Sequence, residues 1–136
     1  MPHLEHINWL AVIVAAVLNM VIGGLWYSPM LFGKMWMQLS GFSEADKEKA
    51  AQSGMAKMYI MQFIFTLLFA TFLGHFQAAS IGEAITWGIV LWIGVVLPVT
   101  IGDYLWMKRS MKLYMINIAQ FLVIIIVDNI LFASWH

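Results

Sequence analysis

Charged side chains are scarce in this sequence. They make up 10% of its 136 residues, and the formal net charge is +0. A soluble domain is roughly one-quarter charged, whereas 62% of this chain is hydrophobic and its mean hydropathy is +0.85. Nothing in this balance provides the basic surface that nucleic-acid binding requires, so no nucleic-acid partner is expected. The composition predicts an integral membrane protein whose first partner is the lipid bilayer.

Cysteine is absent, which excludes disulfides, iron–sulfur clusters, thiolate metal sites and cysteine nucleophiles. The sequence also lacks a nucleophile elbow, HExxH, a P-loop and GxGxxG. We therefore expect no cofactor beyond lipid contacts, and a role other than catalysis, while an unfamiliar membrane enzyme remains open. The weak candidate metal ligands are His3 and His6, whose spacing of three could bring both imidazoles to one metal on a helix.

Four apolar stretches are long enough to cross a membrane, which takes about 20 residues for about 30 Å of hydrocarbon. They cover residues 7–27, 57–77, 83–104 and 112–133, with one long connection at 28–56. No basic segment precedes the first stretch, so we interpret it as a retained span and not a signal peptide. The sequence thus predicts an all-α fold with a single four-helix transmembrane domain over 1–136.

The basic residues predict the orientation of these spans, because lysine and arginine accumulate in cytoplasmic loops. All of them lie in or beside the first and third connections. They are Lys34, Lys47, Lys49, Lys57, Lys108, Arg109 and Lys112. We therefore expect a protein of the bacterial cytoplasmic (inner) membrane, with both basic loops in the cytoplasm and both termini on the outer side.

The long connection begins with a distinctive aromatic motif. Trp26 and Tyr27 have amphipathic rings suited to the headgroup level. Ser28 and Pro29 predict an N-cap and first turn for a short amphipathic helix over residues 30–39 that lies on the inner leaflet. The motif comprises Trp26, Tyr27, Ser28, Pro29, Lys34 and Trp36. It therefore predicts a membrane exit followed by an interfacial helix.

Two more local signals shape the chain. Ser43 and Asp46 have the spacing of a capping box, which predicts a second short helix in the connection. Pro98 interrupts the third span, where it removes a backbone donor and predicts a kink.

Small residues predict how the first two spans pack. They recur at three- and four-residue spacing, which lets membrane helices approach closely while an asparagine hydrogen-bonds across the contact. The two ridges contain Ala11, Ala15, Asn19 and Gly23 in the first span, and Thr66, Ala70 and Gly74 in the second. We expect these faces to meet either within the chain or between copies in a homo-oligomer.

The fourth span contains the best chemical candidate. Asn117, Gln120 and Asp128 share a narrow arc, so one face is a candidate intramembrane polar stripe. An acid in hydrocarbon favours its neutral form and could carry a proton. Alternatively, Asp128 reaches water near the helix end, or bonds to Asn129, Ser134 or a neighbouring helix.

Several segments of the chain resemble one family. They are Asn8-Trp9-Leu10-Ala11-Val12, the segment from Leu25 to Trp36 with its Trp-Tyr-Ser-Pro and Phe-Gly-Lys elements, and Lys112-Leu113-Tyr114-Met115-Ile116-Asn117 after a prolyl span. With these, the chain resembles the DUF1761 family of small bacterial membrane proteins over nearly its whole length. The resemblance implies four spans and no assigned activity or site residues.

Three function classes remain at this point. The scarcity of buried charge and the small-residue ridges favour a structural or accessory subunit that self-associates or joins a larger membrane complex. A small oligomeric proton-coupled transporter or channel is the alternative, with Asp128 as its acid. A membrane protein that binds metal or haem through histidines is the second alternative.

Overall fold

The computed structural model describes residues 7–52, 55–75, 78–107 and 110–135. Within these ranges all regular structure is helical. The helices are α1 (Trp9–Trp26), α2 (Gly33–Ser40), α3 (Glu44–Gln52), α4 (Met55–Leu73), α5 (Ile81–Leu91), α6 (Leu97–Leu105) and α7 (Met111–Ser134), with a π-helical segment (Trp92–Val96) between α5 and α6.

Four helical stretches in the described ranges are long and apolar enough to cross a membrane. They are Trp9–Trp26, Ala56–Leu73, Ile81–Leu105 and Met111–Ser134. The prediction of an all-helical protein with four such helices is confirmed. Helix α4 ends at Leu73, before the end of the predicted stretch 57–77. The N–H of His75 bonds to the carbonyl of Phe72 there and tightens the chain into a turn.

The third of these stretches is not one uniform α-helix. Pro98 has no N–H to donate, and the π-helical segment lies immediately before it, with the N–H of Leu97 bonded to the carbonyl of Trp92. The helix therefore has a widened turn on the N-terminal side of Pro98, while the kink at Pro98 stays a prediction.

Helix α7 is the centre of the bundle. It packs against α1, α2, α4, α5, the π-helical segment and α6, while α1 also packs against α4. Two indole N–H groups fix neighbours to its backbone. Trp26 donates to the carbonyl of Ile116 at 2.9 Å, and Trp92 donates to the carbonyl of Ile118 at 2.7 Å.

The small-residue ridges of α1 and α4 meet within the chain. Ala11, Ala15 and Ala70 are fully buried in one hydrophobic cluster. Gly23 instead faces α7, where a Cβ added to it would lie 3.1 Å from Nε2 of Gln120. Gly74 approaches Ile7 at the opposite end of the bundle. The close approach of α1 to its neighbours thus involves both α4 and α7.

The predicted start of the helix in the long connection was wrong. Residues 27–32 form a turn, and α2 begins at Gly33 with no side-chain cap. The Ser28 hydroxyl donates to the carbonyl of Leu25, so it does not cap a following helix. Gly33 closes the turn because its N–H bonds to the carbonyl of Ser28 at 2.9 Å.

The predicted capping box of α3 is present. The N–H of Ser43 donates to a carboxylate oxygen of Asp46 at 2.9 Å, and the N–H of Asp46 donates to the Ser43 hydroxyl at 3.2 Å. The Ser43 hydroxyl also donates to the same carboxylate oxygen at 3.0 Å. The backbone N–H of Ser43, and after it the Ser43 hydroxyl, lower the pKa of Asp46 by donating to its carboxylate.

Candidate functional site

A cleft of about 1040 Å³ lies between α1, α4, α6 and α7. We call it the polar cleft. Its lining extends from the ends of these helices near the basic connections to the middle of α1. Pro29, Tyr59 and Asp103 line its outer part and are exposed. The cleft is therefore open at the end of the bundle that carries the lysines, which we call the basic-loop end.

The deep end of the polar cleft contains a buried polar cluster. Asn19 and Thr66 line it there, at 4% and 8% exposure, and Asp128 lies behind them with 0% exposure. Nδ2 of Asn19 donates both to Oδ2 of Asp128 at 2.9 Å and to Oγ1 of Thr66 at 3.1 Å. One asparagine thus joins α1, α4 and α7 around a carboxyl group.

This cluster has a surplus of acceptors. Oδ1 of Asp128 and Oδ1 of Asn19 are buried and have no hydrogen-bond partner among the described residues. Buried polar atoms are nearly always paired, so unpaired acceptors point to a missing donor or cation. The arrangement can therefore accept a proton or a positively charged group.

A second polar cluster lies nearer the basic-loop end. The Tyr27 hydroxyl donates to Oδ1 of Asn117 at 2.8 Å and approaches Oε1 of Gln120 at 3.4 Å. All three residues line the cleft. Tyr27, whose ring the sequence placed at the headgroup level, is thus part of a polar wall of the cleft.

Helix α6 forms the opposite wall. The hydroxyls of Thr100 and Tyr114 are 3.0 Å apart, and the rings of Tyr104 and Tyr114 stack with centroids 6.1 Å apart. Asp103 lies on the same helix and also lines the cleft. Both walls therefore combine aromatic rings with a few polar groups, as small-molecule sites do.

Beyond the buried cluster the bundle is closed by apolar packing. Val12, Ala15, Leu73 and Ile125 are almost completely buried there and belong to one hydrophobic cluster. The polar cleft thus ends at this packing. Its exposed lining residues include Gln62, Phe65 and Phe121 along the spans as well as those at the basic-loop end.

The structure splits the predicted polar stripe of α7 into two parts. Asn117 and Gln120 line the cleft beside Tyr27, while Asp128 is buried with Asn19. The sequence predicted that Asn19 hydrogen-bonds across a helix contact, but it did not identify the partner, because it does not fix the rotation of α1 against α7. Similarly, Asn129 is not the partner of Asp128, since its Nδ2 donates to the carbonyl of Ala84 on α5.

The interfacial motif makes ring contacts within its own segment as well as hydrogen bonds to α7. The rings of Trp26 and Phe32 are 4.7 Å apart, and those of Tyr27 and Trp36 are 5.7 Å apart. Lys34 is exposed. Among the described residues no three histidine, aspartate or glutamate side chains cluster as metal ligands. The candidate ligands His3 and His6 lie outside the described residues.

A family model described as "Protein of unknown function (DUF1761)" matches residues 10–133. The chain belongs to the DUF1761 family. The resemblance that the sequence motifs carry is therefore confirmed over nearly the whole chain. No curated protein and no solved structure matches this DUF1761 member.

Proposed function

We propose that this DUF1761 protein is a small membrane carrier that binds a solute in the polar cleft and moves it by protonating and deprotonating Asp128. The observation that supports this most is the fully buried Asp128 carboxyl, which has one oxygen bonded to Asn19 and the other unpaired, directly behind the cleft. A scaffold has no need for such a group, since apolar residues fill a buried site at least as well.

The hydrogen-bond inventory supports a proton on this carboxyl. When Asp128 is ionised, the cluster holds two buried oxygens without donors. A proton on Oδ1 of Asp128 adds a donor and removes an unpaired charge from a low-dielectric site. When the site opens and the proton leaves, the carboxylate needs a new positive partner. A proton and a solute thus compete for the same group.

The closed far end of the cleft also supports a carrier. The cleft is open at the basic-loop end, and the apolar cluster around Ala15 and Ile125 blocks the other end. A continuous channel would need no such block. A carrier requires a second arrangement in which the block opens and the basic-loop end closes.

We further propose that the basic-loop end faces the bacterial cytoplasm, that α2 lies on the inner leaflet, and that both termini lie outside. The described lysines near the helix ends, Lys34, Lys57 and Lys112, all lie at the basic-loop end. Single cysteines at Ser43 and Ser80, both exposed, test this in a chain that has no native cysteine. A membrane-impermeant maleimide should label Ser80→Cys from outside and Ser43→Cys only after permeabilisation. Labelling of both from one side would refute the topology.

The carrier proposal is tested by flux in proteoliposomes. Purified protein is reconstituted with an entrapped pH-sensitive dye and a pH gradient. Three probes, tetraphenylphosphonium, glycerol and benzoate, are then added separately as cationic, neutral and anionic solutes. We expect at least one of them to dissipate the gradient in wild type and not in Asp128→Asn, which keeps the shape of the side chain but cannot ionise.

The matched control is Glu83→Gln, the same chemical change at an exposed residue near the N-terminus of α5. It should retain wild-type flux. Solute-driven proton flux that exceeds that of protein-free liposomes and is equal in wild type and Asp128→Asn would refute the role of Asp128. No flux with any probe, from a protein that assembles normally, would refute the carrier and favour the accessory or self-associating role.

A further inference from the structure

We infer that the ligand of the polar cleft is a monovalent organic cation with aromatic or alkyl groups. This inference rests on the proposed function for its site but concerns the ligand class alone. It is carried by the charge of the lining, by its aromatic rings and by one unpaired buried oxygen.

The charge of the cleft lining is of one sign, although lysines lie nearby at the basic-loop end. Among the described residues that line the cleft, Asp103 is the only charged one, and none is a lysine, arginine or histidine. Asp128 adds a second acid, which is 2.9 Å from the lining residue Asn19. An anionic ligand would lose its hydration without gaining a positive partner, whereas a cation would find two acids.

The lining is also rich in aromatic rings. Seven of its residues are phenylalanine or tyrosine, among them Tyr59 and Phe65 from α4 and Phe121 from α7. The face of an aromatic ring attracts a cation through its quadrupole, and its area also suits apolar groups. A metal ion or a small hydrated cation would gain little from such walls, so the rings favour an organic cation.

Two amide oxygens of lining residues differ in their partners. Oδ1 of Asn117 already accepts a hydrogen bond from Tyr27. Asn19 lines the deep end and is only 4% exposed, and its buried Oδ1 has no partner among the described residues. A buried acceptor of this kind lacks a donor or a positive charge. A cation in the deep end of the cleft would provide it.

The size of the cleft agrees with this ligand class. A volume of about 1040 Å³ is at the upper end of the range that holds drug-sized ligands, roughly 300–1,000 Å³. The site can therefore surround a bulky cation on several sides instead of contacting it on one surface.

A matched pair of probes separates charge from shape. Tetraphenylphosphonium and tetraphenylborate have nearly the same shape and opposite charge. Each is added separately to the purified protein in neutral detergent micelles, and the midpoint of thermal unfolding is followed against probe concentration. A ligand that binds only the folded protein raises this midpoint. We expect tetraphenylphosphonium to raise it in a saturable way and tetraphenylborate to leave it unchanged.

Variants locate the binding. Phe65→Leu and Asp103→Asn change exposed side chains of the lining, so the fold should persist. Phe65→Leu should weaken tetraphenylphosphonium binding by about 2- to 30-fold, the range of one cation–π contact. Asp103→Asn should also weaken it, because it removes the negative charge of the lining. The control Trp106→Leu removes an aromatic ring that is 85% exposed and lies outside the lining, and it should bind like wild type.

Several outcomes would overturn the inference. The first is equal or stronger stabilisation by tetraphenylborate, and the second is binding that both Phe65→Leu and Asp103→Asn leave unchanged. The third is stabilisation by added phospholipid with none by tetraphenylphosphonium, which would identify a lipid as the occupant.

Failure of this ligand class is distinct from failure of the carrier. Flux of glycerol or benzoate that depends on Asp128, without tetraphenylphosphonium binding, would retain the carrier and refute this ligand class. Saturable tetraphenylphosphonium binding without flux of any probe would retain this ligand class and refute the carrier.

Discussion

The Asn19–Asp128 pair provides the sharpest test of the buried cluster, because each residue can be removed alone or together with the other. Asn19→Ala removes both hydrogen bonds of its amide and leaves the Asp128 carboxyl, which is 0% exposed, with neither oxygen bonded among the described residues. Asp128→Ala removes one of these bonds, and the Asn19 amide keeps Thr66 as its acceptor. The double variant removes the whole contact between α1 and α7 at this point.

The expected free energies follow from these partners. A hydrogen bond between membrane helices contributes about 0.6 kcal/mol and at most about 1.7 kcal/mol, and a buried polar group without a partner costs about 1–3 kcal/mol. Asn19→Ala should therefore destabilise the protein by about 2–4 kcal/mol, and Asp128→Ala by about 1 kcal/mol. The double variant no longer contains the unpaired carboxyl, so it should lose only about 1–2 kcal/mol. The coupling between the two sites is then about 2 kcal/mol.

The measurement is reversible unfolding of all four proteins in mixed micelles with increasing sodium dodecyl sulfate. Tryptophan fluorescence reports the transition, since the chain has 7 tryptophans. The double variant should be more stable than Asn19→Ala. Single effects that add to within about 0.5 kcal/mol would mean that the two side chains do not interact. That result would refute the buried cluster on which the carrier proposal depends.

Three further predictions concern the packing and the connection. Gly33→Ala should destabilise the protein by about 1–3 kcal/mol, because an added Cβ would lie 2.7 Å from the carbonyl carbon of Ser28, whereas Gly24→Ala has open space and should be neutral in the same unfolding assay. Ala15→Leu should lower the unfolding midpoint through overpacking, since Ala15 is fully buried. Val17→Leu on the exposed face of α1 is the control, and equal tolerance of both substitutions would mean that the ridge faces lipid. The pKa of Asp46 is lowered, so its cap should stabilise the start of α3 fully above the usual aspartate pKa of about 3.9 and be lost as the pH falls through the lowered pKa of the folded protein. Amide NMR signals of Glu44–Gln52 are the measurement. Signals that persist unchanged at pH 2 would contradict it.

Hydrophobicity and turn residues made most of the fold predictable. Each of the four long helices needed only about 20 apolar residues between turns, and this criterion depends on no tertiary contact. The capping box of Ser43 and Asp46 is equally local, so it was also predicted correctly. The start of α2 was predicted wrongly, because a Ser-Pro pair such as Ser28 and Pro29 occurs both at helix N-caps and in turns. The bond from the Ser28 hydroxyl back to Leu25 decides between them.

The candidate site was predictable only in its parts. Periodicity identified the polar residues of α7 and the asparagine of α1, but it gives no angle between two helices. Asn19 and Asp128 are 109 residues apart, and their contact depends on how α1 rotates against α7. Tyr27 was missed for a related reason. An interfacial tyrosine and one that bonds to Asn117 have the same local sequence, and only the packed bundle distinguishes them.

The widened turn at Trp92–Val96 determines which face of α6 lines the cleft. A π-helical turn contains one more residue than an α-helical turn, and each residue of an α-helix turns the chain by about 100°. Deleting one residue from this segment would therefore restore regular winding and rotate Thr100, Asp103 and Tyr104 together by about a quarter turn relative to α5. The wall of the cleft depends on this single surplus residue, and a shift of the widened turn along the helix would exchange one set of wall residues for another.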